Sequence, residues 1–495
     1  MGMSIKLTPS LLVEIRKVDE KLMSYNIEMT EVTGGTFWKE YTPEQIAGAE
    51  EFPQIKDMSD LTNLMQVYPP VDLYNERLRG LAKELGPVWV RIGGNWATKT
   101  YYDLDNHTDG VVPEGFQSVL TESQWKGVLD FVKYVDAKLL VSFSNCEGIH
   151  KATGKWEPDQ ARLLLDYSIQ YGVPINAVEF MNEPNLLEMS GAPSGYTVKD
   201  YNRDQDACVR FIRENYPDVL VVGPSVIGDK PENTTIEGNV DDMMGVASTW
   251  DIINGTKEPL DVYSYHYYNG ISERIAMMGG HWLPEQAHTE NYLSVAPAMA
   301  HFNSELRDAY VPNGPMWVTE SGDAGGGGDT WASTYLDVLR TANELGSFSE
   351  ITDGIIFHNT LCSSDYGFLH HRTFEPRPNY WFVYLWNKLM GNIVYDTREP
   401  IREGAHVYAH SRKDGKEGAV YLIINNSLTE KTAVSLPKNA DIYTLSADDL
   451  RSREIKLNGK VLDIKDTCTI PELRPSLHMA GTLELAPATV TFIVL

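Results

Sequence analysis

The sequence predicts an α/β chain, a (β/α)8 TIM barrel followed by a C-terminal β-sandwich domain. Three observations carry this. Eight short β-rich runs alternate with longer helical patterns between residues 25 and 358. The texture changes to closely spaced β runs after Arg398. Polar and glycine-rich segments carrying carboxylates stand at the ends of several of the eight runs, where a barrel collects its chemistry.

The runs are Tyr25–Thr30, Val88–Ile92, Lys138–Ser142, Ala177–Met181, Val219–Gly223, Val262–Tyr265, Met316–Thr319 and Gly354–His358. Amphipathic patterns predict helices over Val71–Leu85, Trp125–Val135, Pro158–Tyr171, Lys199–Asn215, Tyr292–Ala309 and Trp331–Leu345, with a strongly apolar helix at Tyr380–Met390. Beyond it, His406–His410, Ala419–Ile424, Thr432–Leu436, Ile442–Ser446 and Thr489–Val494 read as strands separated by Asp414-Gly415, Asn425-Asn426 and Asn458-Gly459. The expected domains are a barrel over 21–395 and a sandwich over 396–495, with segment 1–20 a candidate strand of the sandwich.

The chain has 495 residues, 42% of them apolar, enough for a large core. Against 42 Lys and Arg stand 69 Asp and Glu, a net charge of −27. Such a field repels phosphate backbones and anionic lipid, so neither nucleic acid nor a membrane is an expected partner. No signal-peptide pattern and no apolar run of spanning length is visible, which makes a cytoplasmic protein the expectation. Cys146, Cys208, Cys362 and Cys468 are far apart, without a CxxC, and read as buried reduced thiols. HExxH and phosphate-loop patterns are absent, and His370-His371 reads as an exposed loop pair; no metal and no cofactor are expected.

The fourth run leads into Asn182-Glu183-Pro184-Asn185, the seventh into Glu320-Ser321-Gly322. A barrel brings these distant glutamates to one mouth. Glycosidic cleavage needs a protonated carboxyl for the leaving oxygen and an ionised one for the anomeric carbon, and two neighbouring carboxylates separate their pKa values by repulsion. Glu183 is the expected acid/base and Glu320 the expected nucleophile. Asn182 offers an amide to a sugar 2-hydroxyl. His266 and Tyr268 share a face at the end of run six, and the Tyr268 phenol is the candidate to orient the nucleophile. After run two, Asn95 and Trp96 suit a sugar edge and face, Lys99 supplies a positive charge, and Arg91 is expected to pair with a barrel carboxylate. Gly325–Gly328 can present amide N–H groups to an anion.

Together the segments GGNWATKTYYD, VEFMNEPN, SYHYYNG, WVTESGDAGGGG and FEPRPNYW resemble glycoside hydrolase family 79, which holds β-glucuronidases and heparanases. The resemblance runs from about residue 25 to the end. It implies a retaining mechanism on β-linked glucuronic acid, with Glu183 as acid/base, Glu320 as nucleophile, Asn182 and Tyr268 as their amide and phenol, and uronate binding by the backbone of Gly326 and Gly327. It further implies contacts from Glu28 and Thr30 after run one and from Asn359 and Tyr366 after run eight. Gly325 departs from the heparanase pattern, where an aromatic residue leads the glycine loop. The rim also lacks clusters of Lys and Arg for sulfates. The expected substrate is therefore a small-molecule or oligosaccharide glucuronide cleaved in exo fashion. A retaining enzyme on a neutral sugar, β-xylosidase-like, and a non-catalytic carbohydrate-binding protein are the alternatives; the oligomeric state is not readable.

Overall fold

The computed structural model describes residues 3–55, 58–227, 246–464 and 469–495; Cys468 lies outside them. Eight parallel strands close a barrel: β1 (Met23–Glu28), β2 (Trp89–Gly93), β3 (Lys138–Ser142), β4 (Ala177–Glu179), β5 (Leu220–Ile227), β6 (Val262–Ile271), β7 (Met316–Gly325) and β8 (Ile356–His358). Each pairs with its neighbour in sequence, and β8 returns to β1. Helices α1 (Glu76–Glu84), α2 (Glu122–Val135), α3 (Asp159–Tyr171), α4 (Val198–Asn215), α5 (Thr249–Asn254), α6 (Val295–Tyr310), α7 (Leu336–Ile351) and α8 (Pro378–Leu389) follow the strands in turn.

Capping chemistry set the helix starts that periodicity misplaced. α1 begins at Glu76, not near Val71, because Asn75 Oδ1 accepts from the amides of Arg77 and Leu78. α2 begins three residues before Trp125, where Thr121 and Gln124 form a reciprocal capping box. α7 begins five residues after the expected Trp331, because the turn before it is tied to the C-terminal domain through Tyr335 N to Ser452 O.

The barrel interior is layered by the two-residue period of the strands. Trp89, Leu140, Ala177, Val222, Val262, Trp317, Ile355 and Phe357 form a separate apolar cluster that plugs one end. Two residues further along the strands the lining turns polar, with Arg91, Ser142, Glu179, Ser264 and Thr319 all buried. The candidate site lies above this layer, at the C-terminal ends.

The C-terminal region forms an antiparallel sheet built on Met390–Asp396, His406–Arg412, Ala419–Asn425, Ala440–Ser446 and Thr489–Val494. Thr432–Leu436 and Gly481–Leu485 form a second sheet, and Ile5, Val407, Ile423, Val434 and Ile493 share one cluster. The N-terminus serves both sheets. Met3–Lys6 runs parallel to Thr432–Leu436, and Val13–Lys17 runs antiparallel to Met390–Asp396. Residues Leu336 to Ser349 of α7 are buried on every face, and Phe382 of α8 stacks on Phe492 at 5.7 Å. The barrel and the sandwich therefore share a continuous core.

One expectation is corrected here. His370 and His371 are not an exposed pair: they are partly buried against Glu40, with His370 Nε2 at 3.1 Å and His371 Nδ1 at 2.6 Å from Oε1, and Arg372 at 3.0 Å from Oε2.

Candidate active site

A single arginine organises the polar layer. Arg91 on β2 is fully buried, and burying a cation costs several kcal/mol unless acceptors surround it. Its Nε reaches Glu179 at 3.0 and 3.1 Å, Nη1 donates to Glu320 Oε1 at 3.0 Å, and Nη2 donates to Asn182 Oδ1 at 2.7 Å. Pairing with a barrel carboxylate was expected; the bonds to Glu320 and Asn182 extend it.

Glu320 reaches the mouth through a bulge. Strict alternation along β7 would put Thr319 and Glu320 on opposite faces. The register with β6 steps from Tyr265↔Val318 to His266↔Glu320, one extra residue on β7, and the register with β8 shows the same insertion. Thr319 Oγ1 therefore bonds Ser225 Oγ inside the barrel while Glu320, next to it, also faces inward. Ser321 turns outward to Glu344 on α7.

Three groups surround the Glu320 carboxylate. Tyr268 O–H donates to Oε2 at 2.7 Å, Arg91 holds Oε1, and His266 Nδ1 stands 3.6 Å from Oε2. Asn359 Nδ2 donates to the Tyr268 and Tyr366 oxygens at 3.0 and 3.1 Å, which fixes the phenol. Burial pushes the Glu320 carboxyl up, but His266, Arg91 and the Tyr268 hydrogen bond outweigh it and hold the group below the ordinary value of 4.5. Glu28, at the end of β1, moves the opposite way: burial and the charge of Glu320 raise it well above 4.5.

Glu183 follows β4 with φ of 44°, a left-handed backbone that is costly for a residue with a side chain and recurs at functional sites. Its amide donates to Ser225 O at 3.2 Å, and Oε1 lies 3.0 Å from His266 Nδ1. A carboxylate oxygen of Glu183 comes within 4.8 Å of one on Glu320, with His266 between them. Asn182 donates to Asn95 Oδ1 at 2.8 Å, so Asn95 positions the amide and leaves Asn182 its second N–H. Trp96 and Lys99 pack on each other, Nζ 4.5 Å from the ring centroid. Neither is hydrogen-bonded to the carboxylate pair among the described residues.

The glycine loop continues β7. Gly326, Gly327 and Gly328 have φ of 93°, 91° and 85°, which side-chain-bearing residues rarely adopt. A Cβ on Gly327 would fall 2.7 Å from Trp38, so the tryptophan covers the loop closely. Trp38, Tyr41, Arg274 and Asp365 around this loop were not singled out in the sequence. They stand in short rim segments beyond the barrel strand ends, Trp38 closing the strand Gly35–Trp38 and Arg274 in a short helical turn, where no period marks them.

The model of the glycosyl hydrolase family 79 N-terminal domain matches residues 65–346. The chain belongs to glycoside hydrolase family 79. As a family 79 member it is a glycoside hydrolase, and a heparanase-like one. Heparanase-like protein 1 of Arabidopsis thaliana is 25% identical over 86% of this chain and 85% of its own length. Baicalin-beta-D-glucuronidase of Scutellaria baicalensis is 24% identical over 86% and 83%, and heparanase of Bos taurus is 24% identical over 86% and 84%. A 4-O-alpha-L-rhamnosyl-beta-D-glucuronidase structure from Fusarium oxysporum shares the fold, with a TM-score of 0.66 at 13% identity over the whole of both chains. Among the described residues no helix is long and apolar enough to cross a membrane.

Proposed function

We propose that this family 79 enzyme is a retaining, exo-acting β-glucuronidase that removes terminal β-linked glucuronic acid from a small or weakly charged aglycone. The observation that carries the mechanism is the carboxylate pair: oxygens of Glu183 and Glu320 within 4.8 Å of each other. Inverting enzymes hold their carboxyls about 6.5–9.5 Å apart to admit a water, whereas retaining ones need only about 5–5.5 Å.

Glu320, held ionised, attacks the anomeric carbon. The bond from that carbon to the aglycone oxygen breaks, and Glu183 gives the oxygen its proton. In the second half, Glu183 as carboxylate takes a proton from water; the water oxygen attacks the same carbon and displaces Glu320, releasing glucuronic acid. Two inversions leave the β configuration. Asn182, held by Arg91 and Asn95, keeps an N–H for the sugar 2-hydroxyl.

Two observations support the uronate. The amides of Gly326 and Gly327 bond no other group among the described residues, and curated relatives include a β-glucuronidase and heparanases. The net charge of −27 supports a small substrate over a long sulfated polymer. The test is a set of aryl β-glycosides differing only at sugar C5. The expected order is glucuronide well ahead of glucoside and xyloside, with β-glucuronic acid as first product. Faster xyloside hydrolysis overturns the substrate assignment, an α-configured first product overturns retention, and oligosaccharides released from heparan sulfate overturn exo action.

A further inference from the structure

We propose that Arg274 is a positioning residue for the sugar carboxylate: it fixes the Gly326–Gly327 peptide so that its N–H faces away from the guanidinium and toward substrate. This rests on the glucuronide reading above. Arg274 lies three residues beyond the end of β6 and is 1% exposed. Nη1 donates to the carbonyls of Gly326 at 3.3 Å and Gly328 at 2.7 Å. Nη2 donates to Lys39 O at 2.6 Å and to Asp365 Oδ2. The Tyr41 ring covers the guanidinium face, its centroid 3.8 Å from Cζ. All four terminal N–H groups are engaged and one face is walled, so the cation does not itself meet the sugar.

It acts through peptide planes. In a trans peptide the C=O and the following N–H point in opposite directions. The carbonyl of Gly326 is taken by Arg274, so the Gly327 N–H points the other way. The carbonyl of Gly325 is taken by the Ser272 amide at 2.9 Å, which turns the Gly326 N–H away from Ser272. The Gly327 carbonyl is taken by Asp365 N at 3.2 Å and Ser364 Oγ at 2.7 Å, and its partner amide, Gly328 N, is spent on Ala324 O. Two consecutive amides are thus left to donate, and they belong to the loop that follows the nucleophile strand. A cation on the carbonyl end of a peptide also polarises it and strengthens the N–H as a donor. Lysine cannot reproduce this, because one ammonium cannot span carbonyls from the glycine loop and Lys39 together with the Asp365 carboxylate. Tyr41 completes the clamp: its O–H lies 3.0 Å from Gly328 O and 3.0 Å from Ser272 Oγ.

The experiment compares wild type, Arg274→Lys and Tyr41→Phe on aryl β-glucuronide and aryl β-glucoside, with burst titration to count active sites. For Arg274→Lys the expected result is a glucuronide KM raised about tenfold or more, kcat within about threefold, and glucoside kcat/KM within about twofold. Tyr41→Phe keeps the ring on the guanidinium, so a glucuronide-only KM increase of about two- to fivefold is expected. If Arg274→Lys does not fold, Tyr41→Phe decides. Where wild type prefers glucuronide, equal losses on both sugars in the variants, or variant glucuronide KM values unchanged from wild type, overturn the proposal alone. A wild type without preference for glucuronide overturns the substrate reading and this proposal with it.

Discussion

The phenol of Tyr268 donates to Glu320 Oε2 at 2.7 Å, and the phenol is itself fixed by Asn359 at 3.0 Å. A donor aimed at the ionised form stabilises that form, which is one reason the Glu320 carboxyl stands below its ordinary 4.5. The group therefore stays charged as pH falls through the usual carboxylate range. Removing the donor with Tyr268→Phe moves the carboxyl upward. The expected result is an acid limb of kcat/KM displaced to higher pH, with about tenfold or more lost at neutral pH. An unmoved acid limb shows that Tyr268 does not tune the nucleophile.

The two glutamates should fail differently. Glu320→Gln removes the attacking oxygen, so loss of about a thousandfold or more is expected on every aryl leaving group. Glu183→Gln removes the proton donor, so poorly acidic aglycones should lose about 10²–10⁴ while nitrophenolates, which leave without a proton, lose far less. Hydrolysis rates across a series of leaving groups check this. Identical slopes in both variants contradict the assigned roles.

Glu31 gives stability a pH dependence. Its Oε2 accepts from the Glu28 amide at 2.6 Å, but complete burial dominates and pushes the carboxyl up to about 7. Between 4.5 and about 7 the folded protein holds a proton that the unfolded chain has released. Stability must then fall as pH rises through that window. Glu31→Gln carries no proton to lose, so its melting temperature should decline less across the window than that of wild type. Parallel melting curves refute the assignment.

Gly94 is a steric gate on Glu28. Its φ is +82°, and a Cβ there would stand 1.5 Å from Glu28 Oε2. The left-handed backbone alone costs alanine about 1–2 kcal/mol, and the carboxylate must also move. Gly94→Ala is expected to lower the melting temperature and to raise the glucuronide KM. A variant with wild-type melting and kinetics would show that Glu28 is free to swing aside.

The sequence by itself determined the alternation of eight strands with helices, because hydrophobic period and turn chemistry are local. It also singled out Asn182, Glu183, His266, Tyr268 and Glu320, because a barrel exposes whatever follows its strand ends. Other features only the tertiary structure decided. The extra residue in β7 that turns Glu320 inward is set by register against β6 and β8, which no single strand specifies. The meeting of Arg274 with Lys39, Gly328 and Asp365 joins positions 235, 54 and 91 residues away from it, and nothing local distinguishes that arginine from one on a solvated loop. A local pattern fixes which way a side chain points along its own strand; whether it finds a partner depends on loops that only the closed barrel brings together.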